Sequence, residues 1–117
     1  MAKILRLRKL PLPRLQSRKR VLLNRLLQPP QNVLRASSVE QYLTCGKERC
    51  RCRNGHKHGP FRYLVQCLKV GVVQKFLLKG RDQQQTAKAG IAAYAAFQGQ
   101  LEELSQINTE LLRRGKL

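Results

Sequence analysis

Four residues within fourteen positions carry the types and spacing of a metal site. Cys45, Cys50, Cys52 and His58 follow the pattern Cys-x4-Cys-x-Cys-x5-His. Zn²⁺ takes thiolate and imidazole ligands in a tetrahedron, and three thiolates with one histidine can wrap it. Gly46, Gly55 and Gly59 permit the tight turns this requires. Three thiolates on Zn²⁺ leave a net charge of −1. Lys47, Arg49, Arg51, Arg53 and Lys57 surround that centre, favouring the thiolate forms and hence ligation. The same side chains would then project outward as a fixed basic knob. Four protein ligands leave no open coordination position, so the expected role of the zinc is structural, with no catalysis.

The fourth ligand is the weakest member of the set. His58 leads, His56 is second and Cys67 third. Competing readings are ordinary free thiols or redox thiols, although the usual Cys-x-x-Cys is missing. A Cys50–Cys52 disulfide is disfavoured by the strain of a single intervening residue. Cys67 itself is expected in the core, where free cysteine commonly sits. The start of the chain is basic but no continuous apolar stretch follows it, so a cytoplasmic, unexported protein is expected and a metal site precedes disulfides as the use of its cysteines. The longest apolar run, Ile91 to Phe97, is too short to span a bilayer.

Charge points to the partner. The 117 residues hold 24 Lys and Arg against 6 Asp and Glu, a net charge of +18. Such a surplus repels itself in a lone compact particle and calls for a polyanion. Six scattered carboxylates, of which only Glu102 and Glu103 are adjacent, do not make the Mg²⁺ site that most nucleic-acid-cutting enzymes need. A non-catalytic protein is expected. Ten bases and no acid fall in residues 1–39, nine bases and two acids in 40–80, and five bases and four acids in 81–117. The candidate nucleic-acid contacts are therefore Lys3, Arg6, Arg8, Lys9, Arg14, Arg18, Lys19, Arg20 and Arg25 in the first segment. In the second they are Lys47, Arg49, Arg51, Arg53, Lys57 and Arg62, with Lys69, Lys75 and Lys79 as further surface cations. Such contacts neutralise phosphates without reading bases. RNA and DNA both fit, the 14 Arg against 10 Lys being compatible with folded RNA. A basic presequence, a segment resting on anionic lipid and a plain disordered solubilising tail are the alternatives for the first 28 residues.

The elements that must position these residues read as α+β: a small zinc-stabilised knuckle, a β-hairpin and a long C-terminal helix, preceded by a basic arm and helix. Pro11 and Pro13 predict an extended arm over residues 1–13. Leu15, Leu22 and Leu26 predict a helix from Arg14 to Gln28, stopped by Pro29-Pro30. Ser37 and Glu40 have the spacing of a capping box and predict a short helix to about Leu43. Residues 61–69 and 72–79 predict a hairpin turning at Val70-Gly71. Phe61, Tyr63 and Phe76 are expected in its core against a helix, with a base-stacking platform as the alternative. A helix from Asp82, as N-cap, to Arg114 carries an apolar stripe from Ala87 to Leu111, open to a break at Gly99, with Gly115 as its stop. The hairpin is too short to cover that stripe, so Leu101 to Leu112 need the first helix, a second copy or a recruited protein. Residues 1–36 are expected as arm and helix, and 37–117 as the knuckle, hairpin and helix domain.

Cys45, Gly46, Lys47, Cys50, Cys52, Gly55, His58, Gly59, Pro60 and Tyr63, followed by Tyr94 and Phe97, resemble an uncharacterised family of small bacterial and archaeal proteins. The resemblance covers residues 38–112 and leaves the basic arm outside. It implies His58 as the fourth ligand and an accessory protein, associated with mobile elements, with no established activity. Arg62 and Leu64 stand where that family tends to have aromatics, against a stacking platform.

Overall fold

The computed structural model describes residues 2–117, with side chains from Arg6 onward. The chain divides into two units, one of residues 32–92 and the other of residues 1–31 with 93–117. Its last helix, α3 (Gly80–Arg113), contributes to both.

In the unit of residues 32–92, strands β1 (Ser37–Leu43), β2 (His58–Lys69) and β3 (Val72–Leu77) form an antiparallel sheet in the order β1-β2-β3. The hairpin is as expected, turning at Gly71. β1 is a correction, because residues 37–43 are a strand and not a short helix. The Ser37/Glu40 spacing is a local signal only. Pairing with β2 from Ser37↔Val65 to Leu43↔His58 satisfies the same backbone groups and prevails.

Leu64, Leu78 and Ala87 form the core of this unit, with Leu34, Ala36 and Ile91 against it. Leu64 therefore faces α3. Side chains alternate across a strand, so Phe61 and Tyr63 lie on the opposite face and not in a helix-packed core. Phe76 pairs with Leu64 yet remains 44% exposed. Arg62 and Leu64, on the other face, do not interrupt the Phe61/Tyr63 surface. Cys67 is another correction: it is exposed, its thiol directed to the Lys69 carbonyl at 3.4 Å. It stands on the Phe61/Tyr63 face of β2, opposite Leu64 and the core, next to the register shift before Lys69.

α3 begins two residues before the expected Asp82 cap and runs unbroken through Gly99. Asp82 falls in its first turn, where a carboxylate suits the helix dipole. Gly90 has a packing reason to be glycine. A β-carbon there would meet the Asn32 carbonyl at 2.5 Å and the Leu34 side chain at 2.8 Å, and Leu34 N–H donates to the Gly90 carbonyl at 3.0 Å.

In the unit of residues 1–31 and 93–117, α1 (Ala2–Lys9) and α2 (Leu12–Leu26) accompany the distal part of α3. The expected extended arm is thus a helix, a correction with a plain cause. Pro11 and Pro13 sit at the N-cap and in the first turn of α2, where proline is tolerated, and they separate two helices instead of spreading extended chain. Leu15 and Leu22 of α2 meet Leu104, Ile107 and Leu111 of α3 in a core edged by Leu7, Leu10, Leu12 and Leu26. The expected first helix, α2, thus covers Leu104, Ile107 and Leu111 of distal α3. Truncating Leu22 or Ile107 to Ala would cost about 2–5 kcal/mol. α3 ends as expected at Gly115, whose N–H donates to Leu112 while that of Lys116 donates to Leu111, closing the last turn.

Candidate metal centre and its cationic surroundings

The metal-ligand loop is the connection between β1 and β2. The Leu43↔His58 pair closes its base, Cys45 follows β1 by two residues, and His58 opens β2. Between them a 3₁₀ turn (Arg51–Asn54) begins at Cys50 and carries Cys52. Gly59, at φ +135°, passes so close to β1 that a β-carbon would lie 2.9 Å from the Gln41 carbonyl. Its missing side chain lets β2 start beside β1 with His58 turned back over the loop.

The three sulfurs and one imidazole nitrogen lie within 4.8 Å of one another. Cys45 Sγ is 3.4 Å from Cys52 Sγ, and Cys50 Sγ is 3.2 Å from His58 Nε2. The edge of a tetrahedron with metal–sulfur bonds of 2.3 Å is about 3.8 Å, so these positions fit one ion without rebuilding the loop. All four cysteines are free, and 3.4 Å is far beyond a disulfide bond of about 2.05 Å. The Cys45 N–H donates to Cys52 Sγ at 3.2 Å, a bond that orients the buried ligand. Hydrogen bonds from the Lys47 backbone, and from His58, Cys50 and Cys52, bring the Cys45 thiol down to about 6. Burial pushes the Cys52 thiol up instead. A cation at the centre would hold both as thiolates.

Cys45, Cys50, Cys52 and His58 are the residues brought together. Neither His56 nor Cys67 joins them, so the fourth position is His58. Lys47, Arg49, Arg51, Arg53 and Lys57 are all exposed around the loop, and Arg53 Nε ties back to the Lys47 carbonyl at 3.1 Å.

The other candidate contacts are spread over separate elements. Arg6, Arg8 and Lys9 are exposed on α1; Arg14, Arg20 and Arg25 are exposed on α2, and Lys19 is half-buried there. The side chain of Lys3 lies outside those described. Arg18 has an internal partner, a two-pronged pair with Glu103 of α3 at 2.8 and 2.9 Å, and the Glu103 hydrogen bond raises its pKa. Arg62 pairs with Glu40 at 3.3 Å. Lys75 stands 4.5 Å over the Tyr63 ring and donates to Gln41.

Two features escape a linear reading. Arg81 and Lys88 of α3 line a groove with Arg62. Arg114 donates to the carbonyls of Leu7 and Arg8 at the end of α1 and of Leu10 just beyond it. Each joins residues far apart in sequence; the seven-residue spacing of Arg81 and Lys88 on α3 is a signal in the sequence for the first. Among the described residues no helix is long and apolar enough to cross a membrane.

A family described as a domain of unknown function (DUF6788) matches residues 12–88. No curated protein and no solved structure matches the chain. The matched stretch opens at the first residue of α2, so α2 is part of the family's domain, whereas the resemblance over residues 38–112 left it outside. It takes in the sheet and all four residues of the candidate centre, about two thirds of the chain, and on that match the protein belongs to the DUF6788 family.

Proposed function

We propose that this protein is a non-catalytic nucleic-acid-binding subunit of a nucleoprotein complex, its ligand loop pinned by a structural zinc ion. The observation that carries it is the cysteine loop: five exposed cations are mounted on a backbone that four convergent ligands can lock. Three thiolates and a histidine are a zinc donor set, and an ion held by four protein ligands supplies rigidity. The locked cations then meet phosphates without the entropy cost of ordering a flexible loop. Exposed cations of α1 and α2 extend the contact. Affinity on this basis is electrostatic and largely independent of sequence.

Support for an accessory role linked to mobile elements comes from the residue resemblance, and for a cytoplasmic location from the expected use of the cysteines as metal ligands. The test is crosslinking in cells followed by sequencing of the bound nucleic acid, with zinc quantified on the same purified protein. Enrichment of RNA or DNA together with one zinc per chain is expected. Metal-free protein with no crosslinked nucleic acid would refute the proposal.

A second reading, an adaptor that binds a protein through α3, is favoured by one observation. Leu101 and Leu112 stay 52% and 65% exposed beside Asn108, whose side-chain oxygen is buried without a hydrogen-bond partner. The burial of Leu104, Ile107 and Leu111 against α2 leaves that surface narrow.

A further inference from the structure

We propose that the groove between the β1–β2 side of the sheet and the opening turns of α3 is a second backbone-binding site for nucleic acid, with phosphates held by Arg62, Arg81 and Lys88. It rests on the nucleic-acid reading above and adds a location which that reading does not contain. The groove has a volume of about 570 Å³ and lies within residues 32–92.

Arg81, Gln84, Lys88 and Ile91 recur at spacings of three and four, which places them on one face of α3. Ile91 packs against the core of Leu64, Leu78 and Ala87, so that face is turned toward the sheet. From the strand side comes Arg62, two residues from Leu64 and therefore on the same face of β2. Three cations line the groove and no carboxylate does. Arg62 shares its charge with Glu40, but an exposed pair at 3.3 Å is weak and a phosphate can compete for the guanidinium.

A polyanion fits this arrangement better than a single ion. Arg81 and Lys88 stand seven residues apart on the helix, about 10 Å along its axis, so they grip separate phosphates. Between them Gln84 offers an amide able to donate and accept along the sugar or base edges. The other half of the site, Arg62, lies across the groove, as a clamp on one strand requires.

The test uses the full-length, metal-loaded protein and the variants Arg81→Gln and Lys88→Gln, singly and together. Lys116→Gln, near the chain end, is the control for lost charge. Both groove side chains are exposed, and an unchanged melting midpoint checks that folding is intact. Affinity for a short DNA duplex and for a single-stranded RNA oligonucleotide is measured across a salt series. Each groove variant is expected to lower the slope of log K against log salt by about 0.9 on the duplex, or about 0.7 on the single strand, with the double variant losing twice that. Lys116→Gln is expected to leave the slope in place. Unchanged slopes in the double variant, with the wild type still binding, would overturn the groove assignment alone. Inorganic phosphate competing as well as an oligonucleotide would overturn it too, by showing a single-anion site. A wild type that binds neither probe would remove the nucleic-acid reading itself.

Discussion

Arg114 holds Glu110 one turn back along α3 at 3.0 Å, and the same guanidinium donates to three carbonyls at and just beyond the end of α1. Glu110 is only 5% exposed and also receives Arg113 at 2.6 Å. One side chain thus satisfies a buried carboxylate and caps a helix more than a hundred residues away in sequence. Replacing Arg114 by Ala leaves both sets of acceptors short of a donor. The expected result is a lower melting midpoint, with a larger loss than for Arg113→Ala, whose partner keeps Arg114. Thermal melts of the two variants followed by circular dichroism check the order.

Glu110 also sets a pH dependence. Hydrogen bonds from Arg113, opposed by desolvation and aided by Arg114, hold its carboxyl at about 2, below the unfolded value of about 4.3. A depressed carboxylate contributes stability that is complete above the unfolded pKa and is lost as pH falls through the folded one. The melting midpoint is therefore expected to decline between about pH 4.3 and pH 2. Glu110→Gln should melt lower at neutral pH and show a shallower decline over that window. Parallel slopes for the two proteins would contradict the assignment.

Two glycines of α3 should respond oppositely to alanine. Replacing a helical glycine by alanine is ordinarily worth about 1 kcal/mol of stability. At Gly99 a β-carbon meets nothing within 4 Å, so Gly99→Ala should stabilise by up to that amount. At Gly90 it collides with the Asn32 carbonyl, a backbone atom that cannot swing aside. Gly90→Ala should lose about 1–3 kcal/mol despite the propensity gain. Denaturant titration of the pair measures both signs.

Removing the metal should loosen the loop and leave the helices. Leu15, Leu22 and Ile107 are packed without help from residues 44–57, whereas Cys45, Cys50, Cys52 and His58 have little apolar burial apart from Cys52. Cys52→Ser is expected to abolish stoichiometric metal and raise amide exchange across residues 44–57. Cys67→Ser should keep one metal per chain. Metal analysis with hydrogen exchange on both variants separates a ligand from a bystander thiol.

The centre was legible because its ligands are close in sequence and their chemistry depends on type and spacing. Leucine periodicity likewise revealed α2 and α3. What could not be read is nonlocal. Ser37 and Glu40 look like a helix start until β2 offers its ladder. Pro11 and Pro13 look like extended chain until α1 is seen ending on Arg114. Arg18 is an exposed cation on a helical wheel, and only the approach of Glu103 removes it from the free ones. Cys67 is apolar enough for a core, but its odd position in β2 puts it on the face opposite Leu64 and α3.

The most direct test of the central claim is the salt dependence of nucleic-acid affinity, measured on metal-loaded and on chelator-treated protein. If roughly six to eight phosphates are covered, log K for duplex DNA falls with log salt at a slope of about −5 to −7 for the loaded protein. The stripped protein should bind more weakly and with a shallower slope, because its loop cations are no longer held in place. A slope shallower than about −2 for the loaded protein, or no difference between the two forms, would contradict a metal-pinned cationic surface acting on a polyphosphate backbone.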